Sequence, residues 1–127
     1  MELVMIVILL ALLEYMFFSF LVGNARNKYG VDAPAITGHP TFERYYRVHQ
    51  NTAEQLIIFI PAILVYGYYG DPFYAAVAGV LFLLGRLVYL IAYVRKPQSR
   101  QIGFLMTFAA NVLLIAGGIF STFPGLL

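Results

Sequence analysis

Three polar side chains share one face at the start of an apolar segment of the chain. Arg47, Asn51 and Glu54 are separated by four and then three residues, so an α-helix places them on the same side. Charged and amide groups are costly at the edge of a membrane helix, and the groups found there usually hold something polar. This spacing therefore predicts a polar ligand at the rim of a membrane helix.

A second polar set follows near the end of a later apolar segment. Arg86, Tyr89 and Tyr93 are three and four residues apart, which again indicates one helix face, and Arg100 comes just beyond Pro97. Two tyrosines at a helix end are also typical of the aromatic belt at a membrane surface. The sequence leaves two interpretations of the tyrosines open: they belong to a ligand site, or they belong to the aromatic belt.

Arg86 and two further polar residues fall deep inside apolar segments. Arg86 lies too deep to reach the membrane surface easily, and we expect a structural ion pair with Glu14 or Glu54. Glu14 has two interpretations, a hydrogen bond between helices or a proton-coupling carboxylate of a transporter. Asn111 is expected to form a hydrogen bond between helices.

The composition indicates which elements must position these residues. Of 127 residues, 61% are hydrophobic and 11% are charged, and the mean hydropathy is +0.81. Soluble domains are about 45–50% apolar and about 25% charged. Because a membrane helix needs roughly 20 apolar residues, the sequence predicts an all-α membrane protein with one four-helix transmembrane domain over residues 1–127. The predicted helices cover about 3–24, 42–69, 72–95 and 98–123.

The connections carry the charge. Basic residues flank the first and third connections, whereas the second connection has only Asp71; the basic residues are Arg26, Lys28, Arg44, Arg47, Arg95, Lys96 and Arg100. The positive-inside rule then places these two connections in the cytoplasm and both termini on the opposite side. The first connection is expected over about residues 23–40, with Thr41 capping the second helix and Pro72 opening the third.

The cytoplasmic rims of the helices combine into one candidate site. Its predicted members are Arg26, Arg47, Asn51, Glu54, Tyr89, Tyr93 and Arg100. This set suits a ligand with two or more carboxylates and one ammonium group, because arginine binds carboxylates through two parallel hydrogen bonds. The apolar bundle beside it would accept a lipophilic co-substrate. Without cysteine the chain has no thiol nucleophile, and two histidines are too few for a histidine-based metal site.

Both motifs resemble those of the MAPEG family, the membrane-associated proteins in eicosanoid and glutathione metabolism. The run from Phe42 to Glu54 is similar to the family's signature, and the run from Arg86 to Arg95, followed by Arg100, is similar to its third-helix motif. The resemblance implies a four-helix protomer in a homotrimer, with glutathione bound between protomers at the cytoplasmic side.

The resemblance also implies a role for each site residue. Arg47, Asn51, Glu54, Tyr89 and Tyr93 would hold the tripeptide; Arg26 and His49 would hold its γ-glutamyl end; and Arg100 would stabilise the thiolate. Gln55 stands where some members have tyrosine, so general conjugation is expected rather than leukotriene synthesis.

The expected function is that of a membrane-bound glutathione transferase or peroxidase with a role in detoxification. Glutathione would be the co-substrate, and the partners would be a lipophilic electrophile or lipid hydroperoxide and membrane lipid, with no nucleic acid. Two alternatives stay open. One is a non-catalytic, lipid-binding member of the same family, and the other is a small proton-coupled multidrug exporter that uses Glu14.

Overall fold

The computed structural model describes all residues from 1 to 127 and contains helices but no strands. The four long helices are α1 (Glu2–Tyr29), α2 (Pro40–Tyr69), α3 (Pro72–Arg95) and α4 (Gln101–Thr122). Short 3₁₀ turns cover Pro97–Ser99 and Phe123–Leu126. All four long helices are long and apolar enough to cross a membrane, which confirms the predicted all-α, four-helix fold class.

The first helix is longer than the sequence predicted. Instead of ending near residue 24, α1 continues to Tyr29 and stops at Gly30, whose φ of 69° lies in the left-handed region. Glycine adopts this conformation at little cost, and the Gly30 N–H donates to the Arg26 carbonyl. Gly23 offers no such stop, because nothing at that position interrupts the helical hydrogen bonds. The first connection therefore covers only residues 30–39.

Local capping sets the starts of α2 and α3. His39, not Thr41 as predicted, caps α2: its Nδ1 accepts a hydrogen bond from the Thr41 N–H at 3.1 Å. Pro40 takes the first helical position, where its missing N–H costs nothing. At α3 the Asp71 carboxylate accepts from the Phe73 N–H at 2.9 Å, and the helix begins at Pro72 as predicted.

The polarity of the surface is that of a lipid-facing bundle. A narrow apolar core lies between the helices, with the Phe59 and Phe82 rings stacked at 4.0 Å. Large apolar side chains also cover the outside: Ile57 is 74% exposed and Phe120 is 78% exposed. A water-soluble protein rarely exposes so continuous an apolar surface. The hydrocarbon of a bilayer would cover these side chains.

The end of α4 nearest the polar rim packs very closely on α3. An added Cβ at Gly103 would lie 2.6 Å from the Tyr89 Cα and 2.8 Å from its Cβ. Small residues permit this kind of close approach between membrane helices. Gly103 thereby determines how far the backbone of Tyr89 stands from α4.

Candidate functional site

Arg86 is a fully buried cation that joins three helices. It lies on α3 and is 0% exposed. Its Nη2 donates to Asn51 Oδ1 at 2.7 Å and to Thr52 Oγ1 at 3.0 Å, and its Nε donates to the same threonine at 3.2 Å. Its Nη1 donates to Thr107 Oγ1 of α4 at 3.3 Å. The guanidinium thus connects α2, α3 and α4 through hydrogen bonds.

The predicted ion pair of Arg86 is not formed, and the expectation is wrong. The chain contains one ion pair, between the terminal ammonium and Glu2 at 3.3 Å. Glu54 is exposed on α2, and Glu14 lies within electrostatic range of Arg86 without a direct contact. Neutral oxygens satisfy the buried guanidinium instead.

Two threonines are prepared to accept these hydrogen bonds. The Thr52 hydroxyl donates to the Val48 carbonyl at 2.7 Å, and the Thr107 hydroxyl donates to the Gly103 carbonyl at 3.0 Å. Each hydroxyl donates its single proton within its own helix, so its lone pairs are free to accept from Arg86. Thr52 and Thr107 were not predicted as partners of Arg86, because a threonine that is satisfied on its own helix does not stand out in an apolar segment.

The two tyrosines of α3 lie directly beside Arg86. The guanidinium carbon of Arg86 is 4.4 Å from the centre of the Tyr89 ring, a cation–π contact. Tyr89 stacks on Tyr93 with ring centres 5.5 Å apart and planes 17° apart. Arg47 and Arg100 are both close enough to act electrostatically on the Tyr89 phenol. The fold therefore gathers residues from α2, from α3 and from the connection after α3.

Three predicted site residues carry exposed charged groups. Arg47 and Glu54 are exposed and form no side-chain hydrogen bond or ion pair. Arg100 is exposed and donates only to the Pro97 carbonyl, at 3.1 Å. Their charged groups are available to a ligand. Because the adjoining bundle is apolar, the ligand would have to supply the opposite charges.

Two predicted members point elsewhere. Arg26 donates to the Ala35 carbonyl at 2.6 Å, and its guanidinium lies 4.8 Å from the centre of the Phe42 ring, so it holds the first connection against α2. His49 stacks on Tyr15 of α1 at 4.5 Å with planes 8° apart. Neither side chain hydrogen-bonds to the group around Arg86. Within one chain, the structure does not bring Arg26 and His49 together with Asn51 and the tyrosines.

The other intramembrane polar residues have different environments. Asn111 Nδ2 on α4 donates to Gln55 Oε1 on α2 at 3.1 Å, which confirms the predicted hydrogen bond between helices. Glu14 forms no hydrogen bond, and its Oε1 is buried. It lies in a groove of about 570 Å³ whose other lining residues are Leu10, Leu13, Met16, Phe17 and Leu87. The hydrogen bond considered for Glu14 is absent from the single chain.

The fold and the polar rim together define a class: a small helical membrane protein with a cationic and phenolic site at one end of the bundle. Comparison with known sequences identifies the class more closely. A sequence profile described as "MAPEG family" matches residues 4–120, and the chain therefore belongs to this family.

Three similar proteins illustrate the relationship. An uncharacterized protein (sll1147) of Synechocystis sp. is 40% identical over 112 residues, covering 88% of this chain and 82% of the relative. Human microsomal glutathione S-transferase 2 is 36% identical over 106 residues, covering 84% and 72% respectively. Bovine leukotriene C4 synthase is 36% identical over 110 residues, covering 87% and 73%.

Proposed function

We propose that this protein is a membrane-bound glutathione transferase that joins the glutathione thiolate to lipophilic electrophiles, and that the same thiolate reduces lipid hydroperoxides. The observation that carries the proposal is the polar cluster at one end of the bundle, where Asn51 and the stacked Tyr89–Tyr93 pair contact Arg86 and the exposed cations Arg47 and Arg100 lie within electrostatic range of Tyr89. Membership of the MAPEG family and similarity to a microsomal glutathione S-transferase support the choice of ligand.

The charges at the rim fit glutathione. This peptide carries two carboxylates, one ammonium group and one thiol. Arg47 would bind a carboxylate through its two-pronged guanidinium, and Glu54 would accept hydrogen bonds from the ammonium. Tyr93, next to Tyr89 in the stack, would present its hydroxyl to the peptide. In the proposed complex, the ligand supplies the counter-charges that Arg47 and Glu54 lack within the chain.

Arg100 would activate the sulfur. A free thiol has a pKa of about 8.5, and the thiolate is the nucleophile. A neighbouring guanidinium favours the thiolate, and a pKa lowered by about two units corresponds to roughly 2.7 kcal/mol. In conjugation the thiolate forms a carbon–sulfur bond while the electron pair leaves with the leaving group or shifts onto the acceptor. In peroxide reduction two glutathione molecules become one disulfide, and the hydroperoxide becomes an alcohol and water.

A lipophilic co-substrate has a route from the bilayer. An apolar groove of about 420 Å³ lies at the same end of the molecule; its lining includes Phe17 and Leu21 of α1, Leu90 and Val94 of α3, and Arg95 at the end of α3. Leu90 packs in one cluster with Tyr89, so the groove adjoins the proposed glutathione site. An apolar chain in this groove would approach the site without crossing water.

We extend the proposal to a homotrimer with glutathione between neighbouring protomers. Arg26 of α1 lies against Phe42 of α2, and His49 of α2 stacks on Tyr15 of α1, so both side chains lie between α1 and α2 and neither hydrogen-bonds to Arg86 or Asn51. If both residues contribute to the ligand, as the family resemblance implies, a second copy must supply them. Light scattering of the detergent-solubilised protein tests the assembly. A monomer with full glutathione affinity would contradict it.

Glutathione binding to purified protein, measured by calorimetry with the ultraviolet absorbance of the thiolate followed in parallel, tests the proposed function. The wild-type protein should bind saturably and show a thiolate signal. Arg47→Ala should lose binding, whereas Arg100→Ala should bind glutathione but lose the thiolate signal. Lys96→Ala is the matched control, because Lys96 is an exposed cation close to Arg100 whose side chain forms no hydrogen bond. No binding at millimolar glutathione would refute the proposal.

A further inference from the structure

The oxygen of the Asn51 amide is hydrogen-bonded within the chain, and its NH₂ group is free. Its Oδ1 accepts from Arg86 Nη2 at 2.7 Å, the shortest hydrogen bond that Arg86 makes. Its Nδ2 donates to no group of the chain, and the residue is half-buried at the edge of the polar group. Two N–H donors are therefore left facing away from the guanidinium.

The chemistry of arginine fixes which end is free. A guanidinium has five N–H donors and no acceptor. If the Asn51 amide rotated by half a turn, its NH₂ group would face the N–H groups of Arg86, donor against donor, and Arg86 would lose its shortest hydrogen bond. An unpaired donor on a fully buried cation is expensive. The orientation of Asn51 is consequently set by Arg86.

Arg86 is itself held from all sides. Thr52 accepts from its Nε and Nη2, Thr107 accepts from its Nη1, and its flat face lies on the Tyr89 ring. No rotation of the guanidinium keeps all of these contacts. A group so constrained can transmit its own orientation to a neighbour.

We propose that Arg86 is a positioning residue that makes Asn51 an obligate hydrogen-bond donor toward the ligand, so that this subsite takes a carboxylate or carbonyl oxygen and rejects an ammonium group. The inference rests on the proposed function, because the ligand in question is glutathione. It divides the polar face of α2 into complementary parts: Glu54 accepts hydrogen bonds, whereas Asn51 donates them.

Two substitutions of Arg86 test whether its donors set the orientation of the Asn51 amide. Lysine carries donors and no acceptor, as arginine does, so Arg86→Lys should keep Asn51 in place and bind glutathione nearly as well as the wild type. Glutamine offers both a donor and an acceptor, so in Arg86→Gln the Asn51 amide can take either orientation. We expect a roughly tenfold rise in the Kd and KM for glutathione in Arg86→Gln, the effect of about one hydrogen bond.

A residue that only positions Asn51 should affect glutathione binding and leave the chemical step unchanged. At saturating glutathione, Arg86→Gln should keep its kcat and its thiolate absorbance, because Arg100 is untouched. An Arg86→Gln protein that binds glutathione as tightly as wild type would overturn the inference, as would Arg86→Lys binding as weakly as Arg86→Gln. A wild-type protein without glutathione binding would instead refute the proposed function, and the inference with it.

A second variant covers the case in which Arg86→Gln fails to fold. Asn51→Asp preserves the contact, because a carboxylate accepts from Arg86, but it removes the free donor. It should fold with at least wild-type thermal stability and lose glutathione affinity by more than tenfold. Gln50→Glu is the charge-matched control on the same helical turn and should bind glutathione normally. Asn51→Asp that binds as well as Gln50→Glu would overturn the inference.

Discussion

Gly103→Ala should push α4 away from α3 at a place where the two helices meet backbone to backbone. The new Cβ would lie 2.6 Å from the Tyr89 Cα, whereas ordinary van der Waals contact begins near 3.4 Å, so the helices must separate by most of an ångström. The obstacle includes main-chain atoms rather than the end of a flexible side chain, so a change of rotamer cannot relieve it. Overpacking of this kind costs about 1–3 kcal/mol.

The same displacement should reach the proposed site. Tyr89 stacks on Tyr93 and carries the Arg86 guanidinium on its ring, so a shift of its backbone disturbs both contacts. A misplacement of about 1 Å can cost a factor of about a hundred in rate. We therefore expect Gly103→Ala to lower kcat/KM for glutathione as well as stability, although residue 103 itself touches no ligand.

Thermal unfolding in detergent, followed by far-ultraviolet circular dichroism, measures the stability effect, and glutathione titration measures the effect on the site. Gly23→Ala is the matched control, because an added Cβ there meets nothing within 4 Å. Gly23 lies within α1, so its replacement by alanine should stabilise the protein by roughly 0.5–1 kcal/mol. Equal stability and equal glutathione affinity of Gly103→Ala and the wild type would refute the reasoning.

Three further predictions follow from the geometry of the bundle. Thr107→Val leaves an N–H of Arg86 Nη1 unpaired in the core and should destabilise the protein by about 1–3 kcal/mol, measured by thermal unfolding; no loss would mean that water replaces the hydroxyl. Asn111→Leu should destabilise the bundle by about 0.6 kcal/mol and up to about 2, because it leaves the Gln55 amide oxygen unpaired. The double variant with Gln55→Leu should regain this loss, and failure to do so would argue against a direct coupling. Arg100→Ala should raise the pKa of bound glutathione, so the acidic limb of the rate profile should move up by about two pH units while the rate at high pH stays near that of wild type; an unchanged profile would remove Arg100 from the mechanism.

The helices of this fold could be predicted from the sequence because each depends on local chemistry. The start of α3 was predicted from Pro72, and Asp71 next to it supplies the cap. The end of α1 was misplaced because the sequence contains several glycines and only the backbone shows which one becomes left-handed. Gly23 continues the helix, whereas Gly30 ends it.

The candidate site was likewise predictable only in part. Spacing alone put Arg47, Asn51 and Glu54 on one helix face, and the structure has them on α2 within a continuous helix. The partner of Arg86 could not be predicted, because carboxylates, hydroxyls and amide oxygens can all accept hydrogen bonds from a guanidinium, and residue types do not show which of them lie within reach. The neighbouring helices decided it: they bring Thr52 and Thr107 to the guanidinium and leave Glu54 outside.

The sequence by itself determined the membrane helices, their approximate limits and the polar face of each, since these follow from hydropathy, capping residues and helical period within short segments. Tertiary structure alone decided how those faces meet. The spacing of α4 and α3 at Gly103, the neutral ligands of Arg86, and the stacking of His49 on Tyr15 all depend on contacts between residues far apart in the chain. Such contacts are set by the packing of whole helices, and no local pattern of residue types specifies them.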